Sequence, residues 1–200
     1  MRNVIALIVA LCLVSAEALA DVDWRWSDGT SIDLEYSIGT GLNASLMIVD
    51  FQNGDYYVFE YKWDQNVDPN YPVNAWDMIQ DLGIDANANQ PNPDGNLEYL
   101  FFDWGWGISL DGFAYETNTE TATSVPPYPS WVYYLSENDI SYFLDTSGVG
   151  VTDRELFNGS WDGWSWHGDG WGTGNPPVPE PVTLSIVCLG SVALLRRRKR

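Results

Sequence analysis

Residues 45–63 carry the pattern that most narrows the fold. Ser45–Phe51 (SLMIVDF) is apolar and β-branched enough for a buried strand, and Tyr56–Trp63 (YYVFEYKW) is a second strand rich in aromatics. Gln52-Asn53-Gly54-Asp55 between them supplies an Asn-Gly turn. Apolar and aromatic runs on either side of such a pair predict a hairpin. Leu97–Phe102, Ile108–Tyr115, Trp131–Leu135, Ile140–Leu144 and Ser160–Trp166 are further strand candidates, divided by turns rich in Gly, Pro and Asn. One segment has a helical outline. Asn74 can cap Ala75 onward, Asp77 follows near the positive helix end, Trp76, Ile79 and Leu82 share a face, and Gly83 ends it. Such a helix has about two turns, so its stability must come from packing on a sheet. Thr117–Ser130, with its Thr, Ser and Pro126-Pro127, reads as a loop.

Not all of the 200 residues belong to that domain. Residues 1–20 open with Arg2, run apolar from Val4 to Val14, and end in Ala18-Leu19-Ala20. That order marks a secretory signal peptide, cut by signal peptidase before Asp21. The apolar run is shorter than the roughly 20 residues a membrane span needs. Leu11 stands before Cys12 where a lipidated leader requires a small residue, which argues against lipidation.

Residues 175–200 read NPPVPEPVTLSIVCLGSVALLRRRKR. A Pro-rich spacer leads to Pro179-Glu180-Pro181, then Val182–Leu195 carries no charge, and Arg196, Arg197, Arg198, Lys199 and Arg200 close the chain. A short membrane helix fits this stretch because terminal arginines snorkel, and the basic cluster belongs on the cytoplasmic side. The three-part tail resembles the PEP-CTERM sorting signal. That resemblance implies a membrane-anchored precursor, cleavage near Pro179-Glu180-Pro181 by an exosortase-type protease, and release to the cell surface or an extracellular polysaccharide matrix such as a biofilm. Residues 21–174 then form a β-rich extracytoplasmic domain.

Charge restricts its partners. The chain has 9 Lys+Arg and 28 Asp+Glu, but six of the basic residues and two of the acids lie in the terminal segments. Arg25, Lys62 and Arg154 are left against 26 acids, a formal charge of −23. Nucleic acid is excluded as a partner, whereas cations and neutral hydroxyl-rich polymers suit such a surface. Both cysteines, Cys12 and Cys188, fall in the terminal segments, so the domain between has neither thiol nor disulfide.

All 11 tryptophans lie in that domain. Flat rings can stack on sugars, or they can fill a core that has no disulfide to support it. In Trp161-Asp162-Gly163-Trp164-Ser165-Trp166, strand alternation puts Trp164 and Trp166 on one face and Trp161 on the other. The region from Trp161 through Trp164 and Trp166 to Trp171 is the candidate ligand platform, favoured by glycines at 163, 168, 170 and 172. Asp85, Asn87 and Asn89 space oxygen atoms as calcium loops do, but Gln90 stands where an EF-hand needs Gly and Asn96 where it needs Glu. Calcium is the one cofactor this raises. His167 is the single histidine, and with no cysteine in the domain no Cys–His dyad or multi-His zinc site can form. No spacing singles out a carboxylate pair from the acids.

The order of a hairpin, the helix around Trp76-Asp77-Met78-Ile79, the strand Trp131–Leu135 and the late pattern Gly148–Trp166 is similar to β-grasp modules of the transcobalamin C-terminal type. The likeness covers roughly residues 45–166. Their ligand-binding residues have no counterparts here, so it brings no cobalamin site. The expected fold class is mainly β (α+β): an antiparallel sheet or a sandwich or β-grasp-like domain with one short helix, plus the N-terminal signal peptide and the C-terminal hydrophobic helix. The expected function is that of a noncatalytic surface or matrix protein. A carbohydrate-binding module using exposed Trp and a secreted hydrolase using a carboxylate pair are its alternatives.

Overall fold

The computed structural model describes residues 23–26, 29–64, 72–88, 92, 95–105, 107–124, 129–136, 145–168 and 177. The expected signal peptide, the strand at Ile140–Leu144 and the hydrophobic helix at Val182–Leu195 lie outside the described residues.

The hairpin forms where the sequence places it. Strands β2 (Asn43–Asp50) and β3 (Tyr56–Trp63) pair antiparallel, closing at Asp50 opposite Tyr56. The connection is longer than a bare Asn-Gly turn: Gln52 and Gly54 take positive φ (56° and 104°). Asp50 Oδ1 accepts from the Gln52 amide at 2.7 Å, and Asn53 Oδ1 from the Asp55 amide at 2.9 Å. Short acidic and amide side chains thus satisfy the turn's own backbone.

Around this hairpin a six-stranded sheet assembles from β1 (Tyr36–Gly39), β8 (Ser130–Ser136), β9 (Asp145–Thr146) and β10 (Trp161–His167), in the order β1-β3-β2-β10-β8-β9. It is mixed, which sets aside the wholly antiparallel sheet among the expected alternatives: β1 runs parallel to β3, and β10 parallel to β2. Parallel neighbours need a long crossover. The chain between β2 and β10 uses that length to build a second sheet, β4 (Gly83–Asp85), β5 (Leu97–Asp103), β6 (Ile108–Tyr115) and β7 (Asn118–Thr121), in chain order. Strand β7 falls inside the segment expected to be a loop. Glu116 at φ 52° turns the chain tightly, so that Asn118 pairs with Tyr115 and the β-branched Thr119 and Thr121 extend the sheet.

Helix α1 (Ala75–Leu82) begins at the expected cap. Asn74 Oδ1 accepts from the amides of Trp76 (2.9 Å) and Asp77 (3.0 Å), and Asp77 Oδ2 accepts from the Asn74 amide at 2.9 Å. This reciprocal box satisfies donors that a helix start leaves open. Its buried face is Ala75, Met78, Ile79 and Leu82. Trp76 packs against the same core from the margin of that face, partly buried on Tyr99 and Phe101, with ring centroids 5.5 and 4.9 Å away.

The larger core lies between one face of the six-stranded sheet and the second sheet with α1. Phe113 meets Trp131 and Trp164 edge-on at 5.0 and 5.8 Å, and Met47, Phe59, Met78 and Leu97 fill around them. A smaller core covers the opposite face, where Trp24 and Ile32 of the N-terminal arm close over Leu46, Ile48, Val58 and Trp161. Strand β2 is therefore buried on both sides, which is why its sequence is a continuous apolar run without alternation. Each such side chain contributes about 1.5–3 kcal/mol of transfer free energy.

Candidate functional site

The expected platform divides as the strand alternation requires, but Trp161 and Trp164 turn inward. Trp164 is 2% exposed and stacks on Tyr133 at 4.4 Å and 9°. Trp161, on the other face, is 3% exposed between Trp24 and Trp26. Trp166 is half-buried against Trp131, and Trp171 lies outside the described residues. Trp161 and Trp164 thus spend their faces on packing and leave none for a ligand, because β10 is a central strand with a neighbour on each side and a core on each face.

Between Trp161 and Trp164 in the chain stands Asp162, part of a buried charged pair that sequence reasoning did not single out. Asp162 is 0% exposed and Arg154 is 4% exposed. Arg154 Nε donates to Asp162 Oδ1 at 3.4 Å, and the Tyr133 hydroxyl donates to the same oxygen. Asp162 Oδ2 is buried without a hydrogen-bond partner. Burial raises the Asp162 carboxyl to about 6, against the lowering pull of Arg154 and Tyr133. The Tyr133 hydroxyl is raised well above its ordinary value, first by burial and then by Asp162. A carboxyl perturbed this way can mark acid–base chemistry, but no solvent-facing surface of Asp162 is open to a substrate. The geometry is that of an ion pair tying the Val151–Leu156 segment to β10. Glu60, also buried, does similar work for the N-terminal arm, accepting from Trp24 Nε1 at 2.7 Å and Ser37 Oγ at 2.6 Å, with Lys62 Nζ at 3.1 Å.

An exposed aromatic pair lies elsewhere, at the tip of the β5–β6 hairpin. Phe102, near the end of β5, and Trp104, just past it, lie side by side with centroids 4.5 Å apart and ring planes tilted by 57°. Trp104 Nε1 donates to Ser109 Oγ at 3.2 Å, and the Ser109 hydroxyl donates to Asp111 Oδ1 at 3.1 Å. The turn is closed by Trp104 N to Gly107 O (3.0 Å) and Gly105 N to Asp103 Oδ1 (2.7 Å), with Gly105 at φ 78° where a side chain would be strained. Sequence reading passed over this tip because alternation alone does not say which of two faces meets solvent.

No family model, curated protein or solved structure matches this chain. The site therefore rests on its own geometry.

Asp85 Oδ1 accepts from the Asn87 amide at 2.8 Å within the short 3-10 turn Ala86–Ala88, so the regular oxygen spacing there serves a local backbone turn. Asn89 lies outside the described residues. Among the described residues, no group of three or more His, Cys, Asp or Glu is placed to hold a metal ion. His167 is 2% exposed, its Nε2 3.3 Å from the Tyr134 hydroxyl. Ala18, Ala20 and Asp21 at the leader cleavage point lie outside the described residues, as do Pro179, Glu180, Pro181 and the basic run Arg196, Arg197, Arg198, Lys199 and Arg200. Among the described residues no helix is long and apolar enough to cross a membrane.

Proposed function

We propose that this chain is an exported, noncatalytic surface or matrix protein. Residues 1–20 lead it out, and residues 175–200 hold the precursor in the membrane until an exosortase-type protease cuts near Pro179-Glu180-Pro181. The observation that carries this reading is the pairing of an A-x-A leader with the complete Pro-Glu-Pro, apolar and Arg-rich tail in one chain. Its support from the domain is chemical. A core of rings and aliphatic side chains, with no cysteine among its residues, can form outside the cell without an oxidant.

The β-grasp likeness belongs to the same proposal. It is supported by the order β3-β2-β10-β8, in which the last strand joins the first hairpin strand in parallel and α1 follows the hairpin in the chain. The second sheet is then an insertion between helix and third strand.

Intact-mass measurement of protein recovered from the cell surface tests the sorting reading. The expected species begins at Asp21 and ends near Pro179-Glu180-Pro181. A released species that still carries Arg196–Arg200 sinks it.

A further inference from the structure

We propose that the tip of the β5–β6 hairpin is a stacking platform for a neutral polysaccharide, formed by Phe102 and Trp104 and held in shape by Ser109 and Asp111.

Trp104 is 55% exposed and Phe102 is 50% exposed. Every other described tryptophan is buried or half-buried. Phe157, the other exposed ring among the described residues, has the Arg154 guanidinium over it, whereas these two lie side by side in solvent, and exposed adjacent aromatics are the informative exception to burial. Their arrangement is built, not loose. The indole N–H is tied to Ser109 and Ser109 to Asp111, so the ring holds its orientation before any ligand arrives and little side-chain freedom is lost on binding.

A bulge supplies the last member of that relay. Leu100 pairs with Gly112 and Phe101 with Leu110, so Asp111 is the extra residue in β6. Ile108 and Leu110 before the bulge and Phe113 and Tyr115 after it all pack on the core, which leaves Ser109 and Asp111 on the outer face beside the rings. Re-aiming a side chain is what a bulge does.

The chemistry around the rings selects the ligand. No Lys or Arg occurs between Lys62 and Arg154, so this whole sheet offers carboxylates, hydroxyls and carbonyls with no cationic side chain of its own. Anionic polymers are repelled. Successive hexose units of a polymer bring what fits: C–H faces to lie on the rings, and hydroxyl donors at their edges for the acceptor oxygens of Asp111 and Asp103. A Lys-rich peptide would satisfy the charge but would leave most of the paired apolar area uncovered.

The test is affinity electrophoresis of the full-length chain in detergent, through native gels containing laminarin, dextran or galactomannan, with alginate and polylysine gels as charged controls. At least one neutral polymer should retard the wild type. Trp104→Ala should weaken that retardation at least tenfold and Phe102→Ala severalfold, while Ser109→Ala should cost less, because it frees the ring without removing it. Near-ultraviolet circular dichroism of each variant establishes that the fold persists, as expected for side chains this exposed. The proposal is overturned if no neutral polymer retards the wild type, or if Trp104→Ala and Phe102→Ala migrate as the wild type does. Trp104-dependent retardation by alginate or polylysine alone overturns it equally, the latter in favour of a cationic partner.

Discussion

Asp162 shows what a single buried charge does to this domain. Its carboxyl titrates near 6 in the folded protein and at its ordinary lower value in the unfolded chain. The native state therefore holds this proton to higher pH than the unfolded state does. Stability from this group is complete below about pH 4 and is lost as pH rises through about 6. Lowering the pH from about 7 to about 4 should thus raise the urea midpoint of the wild type more than that of Asp162→Asn. Equal shifts in the two proteins would mean that Asp162 is not the buried titrating group. Arg154→Met should be the harsher change. It strips the carboxylate of its only cationic neighbour within salt-bridge distance among the described residues and should cost about 3–5 kcal/mol at neutral pH. Replacing Arg154 and Asp162 together by apolar residues should recover much of that loss, a nonadditivity that a double-mutant cycle measures.

At the scale of elements, local capping and tight docking differ in cost. Asn74→Ala removes the acceptor for two amide donors at the start of α1 and should cost about 1 kcal/mol in chemical denaturation. Gly39→Ala should cost more. Gly39 ends β1 at φ 83°, and a Cβ there would lie 2.1 Å from the Lys62 carbonyl oxygen, so β1 would have to leave β3. A smaller effect at Gly39 than at Asn74 would contradict the observed docking. The same contrast explains what could be read in advance. Asn74, Asp77 and Gly83 announce α1 through interactions within a few residues, and the Asn53-Gly54 hairpin is equally local. The parallel pairing of β2 with β10 joins Leu46 to Trp161, and no local pattern encodes it. Likewise the strand face of Trp164 was legible, but whether that face met solvent depended on Phe113 and Tyr133 from elsewhere in the chain. Strand β7 was missed because Asn-Thr-Glu-Thr is polar and forms a strand only beside β6.

For the whole molecule, charge and topology set the terms. A domain with 26 acids and three basic residues repels itself in every compact state. Raising salt from low ionic strength to about 0.5 M, where screening acts over only a few ångströms, should raise its unfolding midpoint. A midpoint that falls with added salt would point instead to net stabilisation by ion pairs such as Lys62–Glu60. Topology concerns timing. Strand β10 lies between β2 and β8 in the sheet, yet it is the last of the described strands in the chain. A chain stopped before Trp161 would therefore not be a shorter version of this domain but a divided one. Its β1-β3-β2 and β8-β9 halves would face each other across an open slot, with nothing for Phe113 and Tyr133 to grip where Trp164 belongs. Synthesis, proceeding from the N-terminus, delivers this keystone after every other described strand, and the six-stranded sheet closes only as it arrives.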